Sequence, residues 1–153
     1  MHLTVTSRRT RVTPEQNKAV VTRFNRECIE QGRLESFREL LAEDVINHAA
    51  PVGTPRGPES MIHFLQNVLR VAFPDLKVEI LEQVAERDLV TTRKRIRGTH
   101  AGAIMGVPAT GKIVDIAVID MVRLRDGRYA EHWGISNLPE VLGQLSGEDA
   151  HVG

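Results

Sequence analysis

Asp120 is the residue in this chain best placed to do chemistry. It stands in Ile-Val-Asp-Ile-Ala-Val-Ile-Asp-Met-Val-Arg-Leu, residues 113–124, and shares a parity with Ile116, Val118, Val122 and Leu124. A period of two puts all five side chains on one face of a strand. The other four are apolar, so that face looks into a core or a pocket. A lone carboxylate there is costly to ionise, and burial by itself raises its pKa. Such a group is a candidate acid/base. The plainer alternative is a buried Asp neutralised by a structural partner.

Other polar candidates are scattered along the chain. His48 ends a short extended piece, Asp44–His48, just before the Pro- and Gly-rich loop Ala49–Pro58. His100 stands at the root of a second loop, Gly98–Gly111, which holds four glycines and one proline. That loop has neither the spacing nor the Lys-Ser/Thr ending of a phosphate loop. It is long for a hairpin, and long loops in compact domains are often binding elements. Ile104, Met105 and Val107 could supply an apolar lid from it. Arg93, Arg95 and Arg97 share one face of a strand, with Val90, Thr92, Ile96 and Gly98 on the other. The arginines read as a solvated outer face; alternatively Arg93 points at an anionic or carbonyl group of a ligand. His48, His63, His100 and His132 are widely separated and no Cys/His cluster has zinc spacing, so no metal is expected. No Gly-x-Ser-x-Gly nucleophile elbow is present.

The elements that must hold these residues follow from periodicity. Thr13-Pro14-Glu15-Gln16 reads as a capped helix start. Val20, Val21, Phe24, Cys28 and Ile29 continue it at helical spacing, and Gly32 is a plausible stop. A shorter helix covers about 34–41, and a third runs from Pro58 to about Val71. From Leu76 the period changes to two. Strands are expected over 77–84, 88–100, 113–125 and 129–135, with a last helical turn or two over 138–145. In the final hairpin a two-residue turn at Asp126-Gly127 sets Asp120 opposite Trp133 and Val122 opposite Glu131. A three-residue loop sets Asp120 opposite His132 instead. The shorter turn is favoured because it buries Trp133, the largest apolar side chain of the protein. Helices first and long antiparallel strands after imply an α+β domain, with a curved sheet folded over helices around one apolar pocket.

Composition narrows the partners. Twenty basic and twenty acidic residues balance, which gives no electrostatic reason to expect nucleic acid or an anionic membrane. Four Phe, one Tyr and one Trp are too few for a base-stacking platform. No apolar run reaches membrane-spanning length. The single Cys28 excludes an intrachain disulfide and suits ordinary packing. The organisation read from the sequence is a polar leader, residues 1–12, one domain, residues 13–146, and a tail, residues 147–153, with the cytoplasm as the default location.

An ordered set of short motifs then points to a family. Asn47-His48, Gly57-Pro58-Glu59-Ser60, Phe73-Pro74-Asp75-Leu76, Gly98-Thr99-His100-Ala101-Gly102, Gly106-Val107-Pro108-Ala109-Thr110-Gly111-Lys112, Asp120, and Asp126-Gly127-Arg128 followed by Glu131-His132-Trp133 stand in sequence. Together they resemble the SnoaL-like polyketide cyclases, or ester cyclases, of the nuclear transport factor 2-like fold, over roughly residues 14–145. The resemblance implies a conical α+β barrel with a deep pocket and a homodimer paired through the outer sheet face. It implies intramolecular aldol closure of a hydrophobic keto ester or aromatic polyketide, without metal or organic cofactor. Asp120 matches the family's acid/base. His48, His100, Trp133, His132 and Arg93 are the candidate substrate-binding residues. Asn137 departs from the acidic residue many relatives carry after the Trp, which weakens an epoxide-hydrolase arrangement. The competing readings are a related isomerase or hydrolase, and a non-catalytic module that binds a small hydrophobic ligand or dimerises.

Overall fold

A computed structural model describes residues 11–147. Of the expected leader and tail, residues 1–10 and 148–153 lie outside the described residues. The first helix begins as its sequence requires. The Gln16 backbone N–H donates to Thr13 Oγ1 at 3.1 Å, and the Thr13 N–H donates to Gln16 Oε1 at 2.8 Å. Helix α1 (Pro14–Arg23) runs on without a break as a π-helical stretch, Phe24–Glu30. Gly32, at φ +65°, takes the left-handed turn that ends it. A Cβ on Gly32 would fall 2.5 Å from Arg70 Nε, and Arg70 donates to the terminal carbonyls of Ile29 and Glu30.

Helix α2 (Leu34–Leu40) leads directly into strand β1 (Leu41–Asn47), which begins three residues earlier than the periodicity suggests. The third helix is α3 (Glu59–His63), a π-helical stretch Phe64–Leu69, and α4 (Arg70–Ala72) in one continuous piece. Strands β2 (Lys77–Glu86), β3 (Leu89–Thr99), β4 (Ile113–Arg125) and β5 (Arg128–Ser136) follow, then helix α5 (Leu138–Leu145). The sheet order is β1-β5-β4-β3-β2. All neighbours are antiparallel except β1 and β5, which run parallel, a pairing that period-two patterns do not reveal.

The result is an α+β fold, a curved and unclosed sheet with its inner face covered by helices. Phe24 stacks on Tyr129 at 4.4 Å between centroids and meets Phe37 edge-on at 5.8 Å, which ties the first two helices to β5. Cys28 lies fully inside this core, and burial pushes its thiol up to about 12, so the sulfur is an inert packing group.

The loop between β3 and β4 is pinned rather than free. The N–H groups of Ala101 and Gly102 both donate to the Ala72 carbonyl, at 2.9 and 3.1 Å. Ile104 is buried in the core while Met105 is exposed, so the three apolar residues do not act as one lid. A Cβ on Gly102 would stand 2.2 Å from the Val71 carbonyl oxygen, which is backbone and cannot swing aside. Gly102→Ala is therefore expected to cost about 1–3 kcal/mol as an overpacking defect. A lowered urea midpoint with an unchanged slope checks this.

Candidate functional site

Among the described residues the inner face of the sheet carries one charged cluster. Lys94 sits between Thr92 and Ile96 on β3, facing inward, and is 4% exposed. Its Nζ lies 2.9 Å from Asp120 Oδ2 and donates to Asn25 Oδ1 at 2.7 Å. Asp120, on β4, is 6% exposed, and Asn25, fully buried, comes from the π-helical stretch of the first helix. There Asn25 Nδ2 donates to the Val21 carbonyl at 2.8 Å, which holds its oxygen towards Lys94. π-Helical turns are rare and often mark functional positions.

His132, on β5, completes the cluster. Its Nε2 is 3.9 Å from Asp120 Oδ2, and its Nδ1 is 2.9 Å from Asn47 Oδ1. That oxygen already accepts the Ala49 N–H at 3.1 Å, so the network assigns a donating proton to Nδ1. Nε2 is thereby the atom that faces the carboxylate. Gly134, paired with Asp120 across the ladder, leaves the room: a Cβ there would be 3.2 Å from His132 Cε1 and 3.5 Å from Asp120 Cβ.

These neighbours reverse the expected direction of the Asp120 pKa. Burial pushes the carboxyl up, but the Lys94 ammonium and then His132 outweigh it and hold it at about 2, down from the ordinary 3.8. The group is an ionised carboxylate with unequal oxygens. Oδ2 faces both Lys94 and His132, whereas Oδ1 is buried with no hydrogen-bond partner among the described residues.

The hairpin turn is the two-residue one, yet neither expected register holds. Arg125 pairs with Arg128 and Leu124 with Tyr129, but Arg123 pairs with Glu131. The extra residue, Ala130, is a bulge that shifts everything beyond it by one. Asp120 is opposite Gly134, Val122 is opposite His132, and Met121 is opposite Trp133. His132 is thus turned inward and Trp133 outward. Outside, Trp133 stacks on His48 with rings 4.8 Å apart and 8° from parallel. His48 Nε2 meets Glu131 Oε2 at 2.9 Å, and Arg123 bridges Glu131 and Asp88 at 2.9 Å each.

The remaining candidates are not gathered at Asp120. Arg93 is exposed on the outer face and pairs with Glu82 at 2.9 Å. His100 is fully buried just beyond the end of β3, where Thr110 donates its backbone N–H to Nδ1 at 3.2 Å. Its Nε2 is buried without a hydrogen-bond partner among the described residues. Thr92, not His100, is the residue of that chain segment opposite Asp120. Sequence reasoning missed Lys94 and Asn25. The signal for Lys94 was available: it has the parity of Thr92 and Ile96. For Asn25 there was none, because its partner is 69 residues away.

A hollow of about 580 Å³ lies on the outer sheet face, lined chiefly by Arg93, Arg95, Ala117, Ile119, Ile135 and Asn137. Asp120 and His132 are not part of its lining. Among the described residues no group of three His, Cys, Asp or Glu side chains is placed to hold a metal, and no helix is long and apolar enough to cross a membrane.

Comparison with known proteins gives this cluster a setting. Residues 19–145 match the model of the SnoaL-like polyketide cyclase family. The chain belongs to the SnoaL-like polyketide cyclases. Within that family it is 27% identical over 120 residues to the aklanonic acid methyl ester cyclase DnrD of Streptomyces peucetius, covering 76% of this chain and 80% of that one. Among solved structures, IdmH, a putative polyketide cyclase from Streptomyces antibioticus, is 37% identical with a TM-score of 0.74, covering 85% of this chain and 98% of that one. A SnoaL-like protein from Jannaschia sp. CCS1 is 28% identical with a TM-score of 0.77, covering 92% and 97%. The SnoaL-like fold is therefore the frame that holds Asp120, Lys94 and His132 together.

Proposed function

We propose that this SnoaL-like protein is a cofactor-independent ester cyclase that closes a ring in a hydrophobic keto ester by intramolecular aldol addition, with Asp120 as the proton-transfer group. The observation that carries the reading is the buried, unpartnered Oδ1 of an ionised Asp120. A base must be deprotonated at rest and must have a free lone pair within the site. Oδ1 takes a proton from the carbon alpha to a carbonyl. The resulting enolate carbon attacks a second carbonyl carbon, and the new C–C bond leaves an alkoxide that recovers the proton from Asp120. Product and substrate are isomers, so no redox equivalent is consumed.

Half-buried Val118, Leu138 and Leu142, which pack at the margin of the core, are the apolar surface offered to a ring system. His132 takes the role of a pocket residue beside the carboxylate. His48, Trp133 and Arg93 stand on the outer face, where the homodimer of this reading would form. Exposed Ile119, Met121 and Ile135 on that face support such pairing. The cytoplasm remains the expected location.

The second reading is a non-catalytic module, and the closed Lys94–Asp120 pair favours it, since structural ion pairs are held in the same way. Turnover separates the two. Aklanonic acid methyl ester and simpler aromatic keto esters would be incubated with the protein and the ring-closed isomer followed by chromatography and mass spectrometry. Ring closure that falls at least about a hundredfold in Asp120→Ala supports the cyclase. A wild type without turnover on any of them moves the module to the front.

A further inference from the structure

Proton removal from carbon needs more than a base. The negative charge that leaves Asp120 reappears on the substrate's carbonyl oxygen, and a site that meets it with a preorganised cation stabilises the transition state. The described residues hold one buried cation beside the carboxylate. Lys94 Nζ has three N–H donors; one points at Asn25 Oδ1 at 2.7 Å and one at Asp120 Oδ2 at 2.9 Å. The third has no acceptor among the described residues. On the other side of the pair, Asp120 Oδ1 has no donor among the described residues. An unused N–H on Lys94 and an unused oxygen on Asp120 thus belong to one buried ion pair on the inner face of the sheet. That is the complement of an enolisable ketone, which offers a carbonyl oxygen and an alpha hydrogen.

We infer that Lys94 is a second catalytic residue, whose ammonium takes up the enolate oxygen as Asp120 takes the proton; this rests on the cyclase reading. The logic is one of conserved charge. Before proton transfer Lys94 faces the Asp120 anion. Afterwards Asp120 is neutral and the enolate is the anion, so the ammonium keeps an anionic partner throughout. The same cation that keeps Asp120 ionised then offsets the weakness of so acidic a carboxyl as a base. Asn25, fixed by its bond to the Val21 carbonyl, holds Nζ while its partner changes.

The test uses an enolate mimic, 2-naphthol, whose absorption and fluorescence distinguish neutral from ionised forms. Two variants lacking the carboxylate are compared, Asp120→Asn, which keeps Lys94, and the charge-neutral double variant Asp120→Asn with Lys94→Met. The double variant also guards against misfolding, because it leaves no buried charge of the pair behind. Below the free naphthol's pKa, Asp120→Asn is expected to bind the naphtholate form, about tenfold or more tighter than the double variant binds 2-naphthol. Equal affinities, binding of the neutral form alone, or no binding by either variant overturns the role of Lys94. This readout needs no turnover. Failure of the cyclase reading shows instead as a wild type that closes no ring.

Discussion

On the cyclase reading Asp120→Asn is expected to abolish ring closure, and on either reading to lower stability by about 3–5 kcal/mol. The activity loss follows because a carboxamide cannot accept the substrate proton. The stability loss follows because Lys94, 4% exposed, is left in the interior facing a neutral group. Before the neighbours are known, a strained catalytic carboxylate suggests the opposite sign, since removing such a group often stabilises. The 2.9 Å contact to Nζ decides the matter. Adding Lys94→Met in the Asp120→Asn background is expected to recover most of the loss, since a long apolar side chain fills the same space without a charge. Urea unfolding of wild type, single and double variants checks both statements. A single variant as stable as wild type would mean that the pair contributes nothing. Stability alone does not separate an active carboxylate from a structural one; turnover does.

The second large effect is on acid stability. The Asp120 carboxyl is held at about 2 in the folded protein, below its ordinary 3.8. A depressed pKa means that the folded state favours the anion. The associated stability, roughly 2 kcal/mol, is fully present above pH 4 and is lost as pH falls through about 2. Among the described residues the charged or titratable groups beside Asp120 are Lys94 and His132, and its charge also reaches the buried Tyr129, whose hydroxyl is pushed up by burial and then by Asp120. Lys94→Met removes the main cation, so burial then dominates and the Asp120 pKa is expected to rise above its ordinary value. A carboxyl-carbon NMR titration assigns the group in both proteins. A wild-type value near or above 4 would refute the ion-paired state.

Much of the architecture was legible in the sequence because it depends on local pattern. Thr13, Pro14 and Gln16 specify a helix start through hydrogen bonds three residues apart. The alternation over Ile113–Arg125 fixes which side chains of that strand face inward, and β4 has those bounds. Asp120 was found by the same rule. The ordered motifs from Asn47 to Trp133 were enough to indicate the family, since loops and turns carry their glycines and prolines at set positions.

What the sequence could not determine is what surrounds Asp120. Its pKa depends on charges brought from β3 and β5, and on their distances, none of which a parity argument contains. The parity of Lys94 was readable, but its approach to Asp120 depends on the register of β3 against β4. The side His132 takes turned on a single bulge at Ala130, where the turn type was read correctly and the register beyond it still shifted by one. Period-two patterns cannot locate such an extra residue, because both flanking segments remain regular. Asn25 reaches Lys94 only when the first helix lies across the inner face of the sheet. Sequence alone thus determined the fold class and the carboxylate at its centre. The tertiary structure decided that this carboxylate is a paired anion, because electrostatics at 3 Å is set by which strands meet and in what register.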